Sequence, residues 1–500
     1  MQYKSTRNSE ISITSAEAIK KGLSLEGGLF VPENIPSVTL DEIKSLADMS
    51  YQGRAKFVLS KYLTDFTEEE LENCINNAYT KEKFGTDNIA PVYKLNDNEY
   101  ILELWHGPTC AFKDMALQIL PHLLTTSMKK TNEDNDVVIL VATSGDTGKA
   151  ALEGFKDVDG THIIVFYPDK GVSEIQKLQM LTQEGRNLSV AAVNGNFDDA
   201  QNGVKRIFTD DEFNKQLNQN NFKLSSANSI NWGRLVPQIV YYFSAYADML
   251  AADEINLGEK INIVVPTGNF GNILAAYYAY KMGLPVNRFI CASNENNVLT
   301  DFINTGVYNK VRDFHTTIYP SMDILISSNL ERFLYDLSGS NDKLIGEWMS
   351  QLNTTGKYEV DADVKEKISA LFSGGCADDE QTMTSIKKCF EDYGYVIDTH
   401  TAVAKSVYDE YVLKTGDKTK TVIASTASPF KFNQSVLVAL KGHNFVAGKD
   451  EFTLLEELSK ISEMEIPKSL SELKNKLKLF NTVCEKEQMP RVVSDFLQVN

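Results

Sequence analysis

The sequence is short of cysteine, of basic charge and of unbroken hydrophobic runs, and each shortage removes a class of protein. Six cysteines in 500 residues (Cys74, Cys110, Cys291, Cys376, Cys389, Cys484) include no closely spaced pair. Neither a disulfide framework nor a Cys-x-x-Cys zinc site is available, and the pattern fits a reduced, intracellular chain. Lysine and arginine number 50 against 68 acidic residues, a net charge of −18. A nucleic-acid binder needs a basic face, so nucleic acid is not an expected partner. An anionic substrate must then be gathered by local cations rather than by the global field. The longest apolar stretches, 235–252 and 261–282, are broken by Gln238, Asp248, Gly268, Asn269 and Asn272, so no membrane span is expected. The first residues, Met1 to Arg7, carry no apolar signal-peptide core, and the expected compartment is the cytoplasm. The six histidines lack H-x-x-x-H spacing and Ser144 lacks a G-x-S-x-G frame, so neither a metal centre nor a hydrolase elbow is expected.

What is present has the texture of an α/β enzyme. The first ninety residues are helical in pattern, as where Thr67-Glu68-Glu69-Glu70 opens a helix with carboxylates at its positive end. From about Pro91, β-rich runs at 137–142, 162–167, 188–193, 261–265, 289–292 and 421–424 alternate with helical patterns. Such alternation predicts βαβ units and mostly parallel sheets, with the site beyond the carboxyl ends of the strands. The expected division is a mainly helical domain at 1–92, an α/β half at 93–250, and a second α/β region at 251–500 ending in a charged helical cap from about 450.

Three loops fall where such a site would lie. His106-Gly107-Pro108-Thr109-Cys110-Ala111-Phe112-Lys113-Asp114 puts one lysine behind a Gly-Pro turn among apolar neighbours. An amine becomes a nucleophile near neutral pH only when its surroundings weaken the ammonium form. Taken alone, the segment reads more readily as a solvated Lys-Asp pair. Gly268, Asn269, Phe270, Gly271 and Asn272 follow a β-branched strand and precede a helix, where two glycines and free N–H groups suit an anion. The loop has neither a P-loop lysine nor G-x-G-x-x-G spacing, so nucleotide binding is not indicated. Ser144, Gly145, Asp146 and Thr147 occupy a like position and would hold a carboxylate or hydroxyl, or only cap a helix. A buried lysine paired with a lysine-free glycine loop suggests pyridoxal phosphate, the lysine taking its aldehyde and the loop its phosphate.

The sequence resembles the threonine synthases, in the longer form of bacteria and fungi, within the fold-type II pyridoxal-phosphate enzymes. The resemblance spans most of the chain: Tyr3-Lys4-Ser5-Thr6-Arg7, Gly27-Gly28-Leu29-Phe30-Val31-Pro32-Glu33, the lysine segment, Ser144 to Gly148, Asn228 to Arg234, Gly268 to Asn272, Ser327 to Arg332, Asp398 to Ala402, and Ser425 to Phe432. It departs from the family's Asp-Pro-His-Thr at Thr399, and from Ser-Thr-Ala-His-Pro at Ser428. The resemblance implies a tryptophan synthase β-like fold of mostly parallel sheets in two domains, with an added helical N-terminal segment. It implies Lys113 as catalytic residue and cofactor attachment point, residues 268–272 on the cofactor phosphate and Thr426 at the pyridine nitrogen. The implied substrate is O-phospho-L-homoserine, converted with water to L-threonine and phosphate by a monomer or homodimer. Residues 144–147 would hold the substrate carboxylate or a cofactor hydroxyl, and Arg234 and Lys431 would meet the leaving phosphate. The same motifs also fit a phospho-lyase releasing 2-oxobutyrate, or a silent protein on the same fold.

Overall fold

The β-branched runs become the centres of two parallel sheets in the computed structural model, which describes residues 1–143, 145–169 and 172–499. One sheet orders Phe372–Cys376, Val286–Ser293, Ile261–Pro266, Thr421–Ser425 and Glu99–Glu103 in parallel, with Val92–Lys94 antiparallel at its edge. The other orders Thr482–Cys484, Leu188–Val193, Thr161–Pro168, Asp136–Ala142 and Phe222–Ser225, all parallel. Every residue of Ile261–Pro266 is buried, as expected of a strand covered by helices on both faces.

Between the sheets' helical layers runs Trp232–Ala251, packed against Gly271–Met282 and Tyr51–Tyr62. A helix apolar on all sides belongs in a core, which accounts for the long hydrophobic run there. Trp232 is fully buried, with the Tyr3 and Tyr62 rings edge-on at 5.3 and 5.5 Å. Among the described residues no helix is long and apolar enough to cross a membrane.

The N-terminal segment carries the expected helices and also a small antiparallel sheet, Asn8–Ile13, Tyr3–Ser5, Phe30–Pro32. Thr67 caps Glu68–Ala78 in a capping box with Glu70, and Thr14 does the same with Glu17.

Strand pairing crosses the expected boundaries. Val92–Lys94 and Glu99–Glu103 join the sheet built from the second half, because Ile101 and Leu102 are fully buried there. The segment after 450 begins as the expected helical cap with Glu451–Ser462, then crosses back and adds Thr482–Cys484 to the other sheet's edge. The C-terminal strand thus ties the two halves together.

Candidate active site

The carboxyl ends of Glu99–Glu103, Ile261–Pro266 and Asp136–Ala142 lead into the three loops singled out by the sequence. The lysine loop folds around its own aspartate. Asp114 is fully buried and accepts bonds from the Thr109 backbone N–H at 2.8 Å and the Thr109 hydroxyl at 2.7 Å. A Cβ on Gly107 would lie 2.5 Å from the Asp114 side chain, so only glycine lets the turn close. The loop is then stitched to the one after Ser425: the Phe112 N–H donates to the Thr426 carbonyl at 2.8 Å, and the Ser428 N–H to the Cys110 carbonyl at 3.0 Å. These bonds leave the Lys113 side chain, 12% exposed, projecting from a fixed frame.

The glycine loop is held from behind and open in front. Ser327 donates its hydroxyl to the Gly268 carbonyl at 2.8 Å, and the Asn329 N–H reaches the Asn269 carbonyl at 3.1 Å. Arg332 carries this support into the core, bonding Asn329 Oδ1 at 2.5 Å and the carbonyls of Ile230 and Phe30. Phe270 adopts the left-handed conformation (φ 60°, ψ 0°), with its buried ring 5.4 Å from that of Phe333. Among the described residues, no hydrogen bond is made by the backbone N–H groups of residues 268–272. They head a twelve-residue helix, the arrangement that receives a phosphate. Asn272 accepts from the Tyr241 and Tyr242 hydroxyls at 2.6 and 2.5 Å, while its buried Nδ2 has no partner.

Ser321, in no recognisable motif, joins the two loops. Its hydroxyl receives a bond from Lys113 Nζ at 3.1 Å, and its carbonyl lies 2.9 Å from where a Cβ on Gly268 would stand. The segment around it is pinned by Asp323, which accepts from Asn294, Asn296 and Thr317.

Charge at the site is concentrated on a few buried groups. Asp146, first residue of Asp146–Phe155, takes Lys431 Nζ at 2.7 Å and Gln176 Nε2 at 2.9 Å on Oδ1. Its Oδ2 takes the Ser321 hydroxyl at 3.2 Å and faces Lys113 Nζ at 3.6 Å. Burial alone would raise this carboxyl; Lys431 and Lys113 outweigh it and hold it well below the usual carboxylate range. Burial lowers the Lys113 amine to about 8, with Lys431 and Arg234 adding to the effect and Asp146 opposing it. Arg234 is buried in the first turn of Trp232–Ala251; its Nη1 donates to the Ala227 carbonyl at 2.6 Å and its Nε has no partner. Among the described residues no carboxylate pairs with it.

The structure therefore brings Lys113, the 268–272 loop, Asp146, Lys431, Arg234 and the buried Thr426 to one place. Ser144 lies outside the described residues. Gly145 is the helix N-cap with φ 144°, and Thr147 stands in the first turn of its helix. Two expectations change in character. Asp146 was expected to hold the substrate carboxylate or a cofactor hydroxyl; its oxygens already face two lysines, a glutamine and a serine, and its charge disfavours the carboxylate. Lys431 was expected at the leaving phosphate, yet its side chain is fully buried and bonded to Asp146 and to the Thr109 carbonyl at 2.9 Å. Ser321 and Gln176 were missed, and no spacing in the chain announces them. Of the family departures, Ser428 leaves a buried hydroxyl without partner, and Thr399 donates to the Ile318 carbonyl at 3.3 Å.

Family descriptions match along the chain: "Threonine synthase N terminus" over 2–79, "Pyridoxal-phosphate dependent enzyme" over 88–362 and "Threonine synthase, C-terminal" over 401–484. The chain is 41% identical over 437 residues to human "Threonine synthase-like 1", covering 85% of this chain and 58% of that protein's length. It is 37% identical over 492 residues to the threonine synthase of Saccharomyces cerevisiae, covering 93% of each. The crystal structure of pyridoxal-phosphate-bound threonine synthase from Brucella melitensis superposes with a TM-score of 0.87 at 34% identity, covering 100% of this chain and 99% of that one. The fold is that of a fold-type II pyridoxal-phosphate-dependent enzyme. Within that class, the chain belongs to the threonine synthase family.

The site's own chemistry fits the family's cofactor. An amine of lowered basicity, a row of open N–H groups at a helix start, a space that a Cβ at Gly268 would crowd, and an unpartnered Asn272 amide match an aldehyde at one end and a phosphate at the other.

Proposed function

We propose that this chain is a threonine synthase, acting in the cytoplasm, that converts O-phospho-L-homoserine and water to L-threonine and phosphate. The observation that carries the reading is the meeting at Ser321 of the Lys113 amine with a backbone cradle for a phosphate. Lys113 would attach pyridoxal phosphate, the N–H groups of residues 268–272 would hold its phosphate, and the Thr426 hydroxyl would serve its pyridine nitrogen. The bound cofactor supplies an electron sink for the substrate's Cα.

The Lys113 amine would remove the proton from the substrate's Cα and then shuttle a proton at Cβ. An amine lowered to about 8 keeps a usable unprotonated fraction near neutral pH, which an ordinary lysine does not. Arg234, a buried cation with an unused N–H, is the group suited to the leaving phosphate in so acidic a chain. The hydroxyl of Thr426, unlike a carboxylate, does not hold a ring nitrogen protonated, so proton movement rests on Lys113.

The test is to record the absorbance of the purified protein, add O-phospho-L-homoserine and separate the products. Equal amounts of L-threonine and phosphate are expected. Formation of 2-oxobutyrate would assign the phospho-lyase reaction instead, and absence of phosphate release would remove both. Arg234→Ala is expected to raise KM for phosphohomoserine about tenfold or more while leaving the cofactor absorbance in place; an unchanged KM would take Arg234 out of the site.

A further inference from the structure

Asp146 and Lys431 form a buried ion pair whose purpose the substrate does not explain. Lys431 lies on the turn Pro429–Phe432, with its side chain fully buried, and spends two donors on Asp146 and the Thr109 carbonyl. A buried pair of this kind costs desolvation that a hydrophobic pair would avoid, so its retention points to a task other than stability. Its geometry names the task. The Asp146 oxygen not taken by Lys431 receives the Ser321 hydroxyl at 3.2 Å, and that same hydroxyl accepts from Lys113 Nζ at 3.1 Å. The direct separation of Lys113 Nζ from this oxygen is 3.6 Å.

We infer that Asp146, locked by Lys431 and Gln176, is a positioning residue that acts on Lys113. Through Ser321 it fixes the direction of the amine, and as the facing carboxylate among the described residues it sets the pH at which Nζ gives up its proton. This rests on Lys113 being the reactive amine.

Each contact has a consequence. Because Ser321 donates its proton to Asp146, its oxygen is free to accept one N–H of Lys113, which turns the nitrogen lone pair of the neutral amine away from the carboxylate. Because Lys431 occupies Oδ1, Lys113 is not drawn into a tight pair that would keep it permanently charged. Among the described residues, the charged groups facing Nζ are Asp146 from the helix Asp146–Phe155, Lys431 from the turn Pro429–Phe432 and Arg234 from the helix Trp232–Ala251. The glycine loop contributes no titratable side chain, and the 320–322 turn contributes the Ser321 hydroxyl. Two cations and one anion therefore bear on one amine. Removing the anion lowers the pH at which Nζ is half protonated, and removing one cation raises it.

The experiment is a pH titration of the cofactor's visible absorbance in the holoenzyme, which needs no turnover, alongside the pH profile of kcat. Asp146→Asn is expected to move the Nζ transition to lower pH by about one unit or more, and Lys431→Met to move it to higher pH by a similar amount. Opposite displacements are the signature, since loosening of the fold would not give opposite signs. Transitions that stay put, or move the same way, overturn the inference. A wild-type protein with no cofactor band would instead overturn the proposed function, so the two failures are distinguishable. Should an unpaired buried charge prevent either variant from folding, Ser321→Ala keeps the pair intact. Its kcat is expected to fall about tenfold with KM within about twofold; an unchanged kcat with an unchanged titration would overturn the inference.

Discussion

The lysine loop and the glycine loop do opposite things with their polar groups. In the first, the Thr109, Cys110, Phe112 and Asp114 groups bond to one another or to the 426–428 turn, leaving the Lys113 amine to reach out of the loop to Ser321. In the second, carbonyls are tied from behind by Ser327 and Asn329 while the N–H groups of residues 268–272 stay open. A nucleophile needs a satisfied, rigid support, because small misplacement of the reacting atom is costly. A phosphate cradle needs unsatisfied donors held in place, so that the ligand and not the protein completes them. Ser321 lies where the two designs touch.

The most damaging way to break this comparison is Lys113→Ala. Turnover and the cofactor's visible absorbance are expected to disappear together; retained turnover on the variant would overturn the scheme.

The same substitution placed in each loop then separates support from cradle. Gly107→Ala sets a Cβ 2.5 Å from Asp114 in the satisfied loop, and is expected to cost about 1–3 kcal/mol of stability by urea unfolding. Gly268→Ala sets a Cβ 2.9 Å from the Ser321 carbonyl, and is expected to weaken cofactor affinity about tenfold with a smaller loss of stability. Equal effects on both measurements in both variants would erase the distinction.

The finest probe is the pH dependence of stability carried by Asp114. Burial raises its carboxyl to about 6, above an ordinary value of 3.8, so the folded protein binds the proton more tightly than the unfolded chain. Its contribution is present at low pH and is lost as pH rises through the window from 3.8 to about 6. Asp114→Asn keeps an acceptor for the Thr109 N–H and has no proton to lose. The stability of wild type relative to this variant should therefore fall between pH 4 and pH 7, by about 1–3 kcal/mol; parallel curves would contradict the assignment.

Much of this frame was legible in the chain. The β-rich run at 188–193 became a strand with those limits, and 137–142 and 261–265 gained one residue each. Such strands are buried on both faces and must be apolar throughout, which makes them visible. Edge strands escape that pressure: Val92–Lys94 and Thr482–Cys484 are three residues long and partly exposed. Phe372–Cys376 hides behind two glycines, required because a Cβ on Gly375 would meet Val407 at 2.6 Å.

The site divided in the same manner. Lys113 and the glycine loop announce themselves because turn chemistry and a strand-to-helix junction are local properties. Asp146 and Lys431 are distant in sequence, and nothing local shows that each is the other's partner. Ser321 is invisible for the same reason: its role comes from a segment anchored by Asp323 to strand ends elsewhere in the chain.

The claim that the two loops meet on one cofactor at Lys113 is tested most directly by reducing the holoenzyme with borohydride and mapping the modified peptide by mass spectrometry. The account predicts a pyridoxyl group on Lys113 and on no other lysine. Attachment elsewhere, or none in a protein that carries the visible band, would contradict it.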